Sequence, residues 1–192
     1  MTPRRGRASL VEDAYTLRVT HVGITGHQRI RGATPYDAAG AASEDWRWVR
    51  LQIDQILADR AAPLVGYSSL AAGADQIFAE VLLNRGGRLR VVRPFASYRD
   101  RIDGAADRHS YDQLLALAET VVDVVGPYRS DEDAYRLAGE EIVARSEIVL
   151  AVWDGEEPRH IGATGHIVGH ARMHGCPVIV IDPVRRTVGA PG

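Results

Sequence analysis

The chain has 192 residues, and its 23 basic residues are all arginine, set against 25 acidic residues for a formal net charge of −2. Because lysine is absent, Schiff-base enzymes, the Gly-Lys-Ser/Thr phosphate loop of common NTPases and kinase-type catalysis are excluded. The single Cys176 excludes a disulfide framework and a multi-cysteine zinc site. The length predicts one domain.

Charge and hydropathy set the expected partners. No run of 18 apolar residues occurs, so we expect no membrane span and a cytoplasmic location. The acidic balance, with a pI near 6.4, argues against nucleic acid as a partner. We expect neither a metal nor a cofactor.

Short Val/Ile-rich runs bounded by Gly, Pro or Asp predict six strands. They are Arg18–Thr25, Pro63–Tyr67, Arg88–Arg93, Thr120–Val125, Glu147–Trp153 and Pro177–Asp182. Amphipathic spacing predicts a helix after each of the first five. These are Ser43–Asp59, Ala72–Asn84, Asp107–Glu119, Asp133–Ser146 and Thr164–His174. Strands alternating with helices predict a doubly wound α/β three-layer sandwich with a mainly parallel sheet.

Three predicted strands end in loops rich in small residues. The loops are Gly23–Arg29, Gly66–Asp75 and the pair Trp153–Gly155 and Gly162–Gly165. Small residues let backbone N–H groups approach an anion, and a helix N-terminus adds a favourable dipole. If the three loops share one site, strands one, two and five are neighbours, which predicts the order 4-3-2-1-5-6. Asp123 suits the resulting edge position of strand four.

Other segments are expected outside this framework. We place the domain at 17–183 and expect flexible tails at 1–16 and 184–192. The loop from His27 to Ala42 is long for a compact α/β domain, which is typical of lids, binding loops or disorder.

The loop sequences resemble a known superfamily. Ser68-Ser69-Leu70-Ala71-Ala72-Gly73-Ala74-Asp75 resembles the Ser-Gly-Leu-Ala-x-Gly-x-Asp stretch of the DNA-processing protein A family. Gly23–His27 with Arg29, and Val149–Gly155 with Gly162–Gly165, look like the other motifs of the SLOG superfamily, which also includes the "lonely guy" (lysine decarboxylase-like) phosphoribohydrolases. The resemblance spans about residues 18–182. It implies a Rossmann-like fold that binds a nucleotide or a nucleotide-derived small molecule at these loops.

The sequence departs from the enzymes of that superfamily in one motif. In the phosphoribohydrolases the Gly-Gly-x-Gly-Thr motif leads into a helix whose first turn carries a catalytic glutamate. Here that turn reads His166-Ile167-Val168-Gly169, without a carboxylate, and Ala163 replaces the second glycine. A recombination role is also not expected, because basic surfaces and extra domains are missing.

Candidate site residues follow from the loops and the resemblance. The ligand-binding candidates are Gly23, Thr25, Gly26, His27, Arg29, Ser68, Ser69, Gly73, Asp75, Arg93, Asp154, Gly155, Gly162, Thr164, Gly165 and His166. The arginines would clamp a phosphate, or are simply solvated. Asp154 and Asp75 are the catalytic candidates, either as ribose ligands or as general acid or base. Asp75 has the alternative of only favouring a helix dipole.

Two further patterns have competing interpretations. His166, His170 and His174 recur every four residues, which invites a metal, but three such histidines cannot easily share one ion, so a partly exposed face is preferred. Trp153 either stacks a base or belongs to the core.

Two functional hypotheses remain from the sequence. The first is a binding module that recognises a nucleotide-derived messenger and acts as a sensor. The second is a nucleotide N-glycosidase or phosphoribohydrolase-like hydrolase with a relocated acid or base. By analogy with related folds, we expect a homo-oligomer, most simply a dimer.

Overall fold

The computed structural model describes residues 18–30, 43–156 and 162–189. A seven-stranded sheet forms the middle layer, in the order β4-β3-β2-β1-β5-β6-β7. The strands are β1 Thr20–Gly26, β2 Leu64–Ser68, β3 Arg88–Arg93, β4 Thr120–Asp123, β5 Ile148–Val152, β6 Val178–Asp182 and β7 Thr187–Val188. The first six pair in parallel, and β7 is antiparallel to β6. The predicted order 4-3-2-1-5-6 is therefore confirmed.

Five α-helices cover the two faces of this sheet. They are α1 Glu44–Ala58, α2 Ala74–Asn84, α3 Ala105–Ala116, α4 Asp131–Ala144 and α5 Thr164–Met173. Helices α1 and α2 pack together, and α2 also contacts α3, β1, β2 and β3. Helices α4 and α5 pack together and reach β1 from the other side. The switch between the two sets falls between β1 and β5, which gives the predicted three-layer Rossmann-like sandwich.

Burial explains why the central strands carry apolar residues on both faces. Every residue of β2 and of β5 is buried. In β5, Leu150 and Val152 join the core under α1–α3, whereas Val149 and Ala151 join the cluster under α5. A strand covered on both sides has no solvent face, so it reads as a continuous apolar run.

Helix α1 shows how local signals fix an element. Ser43 is the N-cap, and its hydroxyl accepts a hydrogen bond from the Trp46 backbone N–H at 3.5 Å. Glu44 and Asp45 in the first turn favour the positive end of the helix dipole. The predicted apolar face of the helix is buried through Trp46, Val49, Ile53 and Leu57.

Some predicted boundaries need correction. Residues 184–189 were assigned to a flexible tail, but β7 pairs Val188 with Ile181 and Thr187 with Asp182. The fourth strand ends at Asp123 rather than Val125, and α4 begins at Asp131 instead of Asp133. A short 3₁₀ helix, Tyr98–Arg101, precedes α3 and was not predicted. Residues 1–17, the segment 31–42 and residues 190–192 lie outside the described residues.

In the described ranges, no helix combines the length and apolarity that a bilayer crossing requires.

A leucine pair tests the core. Leu82 on α2 is fully buried, whereas Leu51 on α1 is 50% exposed. We expect Leu82→Ala to lower the free energy of unfolding by about 2–5 kcal/mol, because it leaves a cavity beneath the sheet. The matched Leu51→Ala should stay within about 0.5 kcal/mol of the unmodified chain. Denaturant unfolding measures both, and equal losses would contradict the core assignment.

Candidate functional site

One large cavity lies at the carboxyl ends of the strands, at the switch between β1 and β5. Its volume is about 670 Å³. Open α/β sheets bind ligands at such a switch point. The predicted site residues that line it are Thr25, Gly26, His27, Arg29, Ser69, Asp75, Asp154, Gly162, Thr164 and Gly165. The three glycine-bearing loops therefore meet in one place, as their shared pattern predicts.

His27 and Asp154 form a polar pair across the switch. His27 Nε2 lies 3.1 Å from Asp154 Oδ1, and the side chains are 27% and 10% exposed. The Asp154 backbone N–H also points at Nε2, at 3.4 Å. Nε2 thus donates to the carboxylate when it carries a hydrogen, and accepts from the backbone N–H when it does not. This pair is a half-buried polar contact between the loops after β1 and β5.

The turn between β6 and β7 contacts the loop after β5 through Arg185. Arg185 Nη1 donates to the Asp154 carbonyl at 2.9 Å and to Asp182 Oδ2 at 2.8 Å. Although burial by itself would raise it, the pKa of Asp182 is lowered by hydrogen bonds from the Arg185 backbone and side chain and from the Val184 backbone. The segment expected to be a tail therefore supports the candidate site.

Asp75 is buried at the start of α2 and organises the loop after β2. Its Oδ2 accepts hydrogen bonds from Ser68 Oγ and the Ser69 backbone N–H, both at 3.1 Å. Burial raises the pKa of the Asp75 carboxyl to about 7, against these hydrogen bonds and those from the Ala71 and Leu70 backbones, which lower it. Asp75 therefore lies on the cavity wall as a group that titrates near neutral pH.

The same loop bends through an unusual backbone conformation. Leu70 has φ +59°, a left-handed conformation that a leucine rarely adopts. Gln76 Nε2 donates to the Leu70 carbonyl at 3.3 Å, and Ser68 Oγ accepts from the Leu70 N–H at 2.9 Å. These buried contacts fix the strained turn, which presents Ser69 and Ala71 to the cavity.

Gly73 joins the loops after β1 and β2. Its φ is +82°, and a Cβ there would lie 2.9 Å from the His27 and Gln28 carbonyl oxygens and from the Trp46 ring. It does not line the cavity. Its role is close packing of one loop on another rather than contact with a ligand.

The first turn of α5 opens on the cavity. Its N-cap, Ala163, has no side-chain capping hydrogen bond, and Thr164 and Gly165 line the cavity. Gly162, with φ +87°, packs on α4, because a Cβ would lie 2.9 Å from Arg136 N and Glu132 O. Backbone N–H groups at a helix start favour an anion.

Three aromatic side chains form part of the cavity lining, called here the aromatic wall, and sequence reasoning missed most of it. Tyr98, Tyr135 and Trp153 line the cavity, and the rings of Tyr98 and Tyr135 pack with centroids 5.8 Å apart. Burial raises the pKa of both tyrosines. Trp153 Nε1 donates to the Glu156 carbonyl at 2.9 Å. The tyrosines lie in a 3₁₀ helix and on a helix face that carry no motif, so only packing reveals them.

Two predicted phosphate-binding arginines have acidic partners. Arg93 does not line the cavity, since it donates to both carboxylate oxygens of Asp123 at 2.7 and 3.1 Å. Arg29 lines the rim, where it lies 3.4 Å from Asp103 with 71% of its side chain exposed. Position thus favours Arg29 over Arg93 as a ligand contact.

Four other candidates do not line the cavity. Gly23 packs under α4, because a Cβ would meet Ser146 Oγ at 2.5 Å and Ile142 at 2.8 Å. Ser68 is fully buried. Gly155, at φ +83°, lies beside Arg185, and His166 is not among the lining residues.

The histidine face of α5 points elsewhere. The rings of His170 and His174 stack with centroids 4.1 Å apart, and His170 Nδ1 lies 3.8 Å from Glu140 Oε1. Burial lowers the pKa of His170. Among the described residues, no three potential metal ligands converge.

Similarity to solved structures agrees with this geometry. DNA processing protein A from Streptococcus pneumoniae superposes with a TM-score of 0.58 at 18% identity, over 86% of this chain and 51% of that one. The Helicobacter pylori protein of the same name gives 0.53 at 17%, over 85% and 65%. The chain therefore shares the Rossmann-like fold of these proteins. The predicted resemblance is confirmed at the level of the fold.

Other comparisons add little. The structural-genomics target TM1055 matches with a TM-score of 0.50 at 14% identity, over 83% of this chain and 72% of that one. No protein-family model and no curated protein matches the sequence. The chain spans about half of the Streptococcus pneumoniae protein and 65% of the Helicobacter pylori one.

The comparisons overturn one expectation. The Helicobacter pylori protein is described as binding single-stranded DNA. The inference from net charge that nucleic acid is not a partner is therefore wrong. Single strands are bound by local arginines and by stacking on aromatic rings, and a total charge of −2 says nothing about either.

The raised pKa of Asp75 predicts how stability varies with pH. The folded state keeps the proton up to about pH 7, whereas the unfolded carboxyl loses it near 3.8. Stability is therefore lost as pH rises between those values. From pH 5 to pH 8, Asp75→Asn should gain about 2–3 kcal/mol relative to the unmodified chain, at about 1.4 kcal/mol per pKa unit.

Denaturant unfolding of the unmodified chain and of Asp75→Asn, each at pH 5 and pH 8, measures this effect. The contributions of the other titrating groups cancel when the two pH dependences are subtracted. A difference between the two chains that does not change with pH would contradict the raised pKa.

Proposed function

We propose that the cavity binds a nucleotide or a nucleotide-derived small molecule, and that the chain is a binding module. The observation that carries the proposal is the meeting, in one cavity at the β1/β5 switch, of the His27–Asp154 pair, the first turn of α5 and an aromatic wall. The volume of about 670 Å³ falls in the range of small-molecule sites.

The phosphate is assigned to the first turn of α5. Thr164 and Gly165 present backbone N–H groups there, with the helix dipole behind them. Because the chain has no lysine, the side chains that can balance an anion's charge are arginine and histidine, beside backbone N–H and hydroxyl donors. His27 is the nearer of the two cationic candidates to the enclosed part of the cavity, and Arg29 covers the rim.

The sugar and the base are assigned to the remaining walls. Carboxylate oxygens accept hydrogen bonds from ribose hydroxyls, and Asp154 and Glu156 line the cavity beside the helix start. Tyr98, Tyr135 and Trp153 supply ring faces for a base, as in proteins that stack bases on aromatic side chains. A nucleotide presents these three chemistries in this order.

Binding can be tested with a matched histidine pair. Calorimetry with nucleoside monophosphates, NAD and a short single-stranded oligonucleotide should give binding to at least one of them. His27→Ala should weaken it about ten- to a hundredfold, which is the cost of a hydrogen bond to a charged group.

His109→Ala is the control, because His109 is exposed on α3 away from the cavity. No binding across the panel would overturn the proposal, as would equal losses in the two variants. Binding of the oligonucleotide alone, unaffected by His27→Ala, would place nucleic acid on another surface.

A hydrolase is the second candidate, and two carboxyl groups in one cavity favour it. Asp75, whose pKa is raised to about 7, and Asp154, held beside His27, both line the cavity, and a buried carboxyl group with a raised pKa is typical of acid–base sites. Asp154 would take a proton from water as the water oxygen bonds to the ribose C1′. Protonated Asp75 would supply a proton to the departing base as the C1′–N bond breaks.

Product analysis separates the two candidates. If the chain is a hydrolase, chromatography should show free base and ribose 5-phosphate from a monophosphate, and Asp154→Asn should reduce the rate at least about a hundredfold. Asp112→Asn is the control, because Asp112 is exposed and paired with Arg99. Binding without released base would leave the chain a binding module.

A further inference from the structure

Within the described part of the chain, strand β4 is an unprotected edge of the sheet. All four of its residues are exposed, whereas the neighbouring β3 has Leu89, Val91 and Val92 buried. Edge strands present unpaired backbone N–H and C=O groups, and proteins usually shield them. The opposite edge differs, because it ends in the two-residue antiparallel strand β7.

Exposed apolar side chains concentrate around this strand. More than half of the large exposed hydrophobic residues in the described chain lie between positions 117 and 128. They are Leu117, Val121, Val122, Val125 and Tyr128. Val125 is 97% exposed. An edge strand that carries exposed apolar side chains is a surface on which another strand can pair.

The charges that would keep another strand away are partly offset within the chain by arginines of β3. Glu119, just before β4, accepts from Arg88 Nη1 at 2.9 Å and from Arg90 Nε at 2.8 Å. Asp123, at its end, accepts two hydrogen bonds from Arg93. Charged side chains on an edge normally oppose pairing, and here each acidic group is already held by arginine on β3.

From these observations we infer that β4 pairs antiparallel with β4 of a second copy of this chain, which joins the two sheets across a two-fold axis. The apolar arrangement is self-complementary. Leu117 precedes the strand, and Val125 and Tyr128 follow it. Antiparallel pairing therefore brings Leu117 of one copy towards Val125 and Tyr128 of the other. A two-fold contact of this kind pairs the β4 edge of each copy with the other, so the assembly closes as a dimer.

The register follows from side-chain direction and charge. Val121 is aligned with Val91 and Val122 with Val92, and those two β3 residues lie in cores on opposite faces of the sheet. A two-fold axis perpendicular to the sheet preserves the faces, so a residue on the axis meets its own copy. Centring on Val121 sets Glu119 opposite Asp123 of the second copy, and like charges directly opposite are unfavourable. Centring on Val122 sets Glu119 opposite Val125 instead.

Charge insertion tests the interface in the full chain. Light scattering after size exclusion should show a dimer, and Val122→Glu should raise its dissociation constant at least about tenfold, because it places two carboxylates on the axis. Val125→Glu should act in the same direction. Val184→Glu is the control, since Val184 is also an exposed valine and lies at the β6–β7 turn.

A cysteine tests the register. In a Cys176→Ser background, Val122→Cys should form a disulfide-linked dimer on mild oxidation, because directly opposite Cα atoms in antiparallel strands lie about 4.5–5.5 Å apart, within disulfide range. Val184→Cys in the same background should not. A monomeric wild type, or a dimer that resists Val122→Glu and Val125→Glu as it resists Val184→Glu, would overturn the inference. Circular dichroism checks that each variant is folded.

Discussion

The candidate site depends on the backbone and side chain of one residue, His27, which connects three loops. Its N–H donates to the Val152 carbonyl at the end of β5, at 3.0 Å, and its carbonyl accepts from the Ala74 N–H at the start of α2, at 3.3 Å. Its imidazole then meets Asp154. Because β1 lies between β2 and β5 at the topological switch, its exit adjoins the exits of both other strands. Gly73 permits the close approach of the loops after β1 and β2, because a Cβ there would lie 2.9 Å from the His27 carbonyl oxygen.

The sequence predicted the fold well because its signals were local and repeated. Buried parallel strands such as β5 have a continuous apolar pattern, and the glycine loops lie where strands end, so their convergence fixed the strand order. The site was predicted only in part. Glycine motifs do not distinguish a residue that faces a ligand from one on which another segment packs, as Gly23 and Gly73 show. Tyr98 and Tyr135 carried no signal because their positions depend on tertiary packing.

Arginine content gave the least reliable predictions. Where every cation is arginine, residue type does not single out a functional position, and ion pairing decides it. Arg93 forms an ion pair with Asp123, and Arg136 forms one with Glu140. Arg185 binds the Asp182 carboxylate and the Asp154 carbonyl oxygen. The same limitation explains the error over nucleic acid, because a sum over 192 residues averages surfaces that act separately.

The charge of the cavity restricts what it can hold. Asp75, Asp154 and Glu156 line it together with His27 and the rim residue Arg29, so these side chains do not provide an excess of positive charge. An anionic group is therefore stabilised beside the backbone N–H groups of the first turn of α5 and beside His27 or Arg29, and is repelled next to the carboxylates. Hydroxyl-rich, uncharged parts of a ligand have the opposite preference. A ligand with one compact anionic end and an uncharged polar and aromatic body satisfies both walls, whereas a polyphosphate tail running across Asp154 does not.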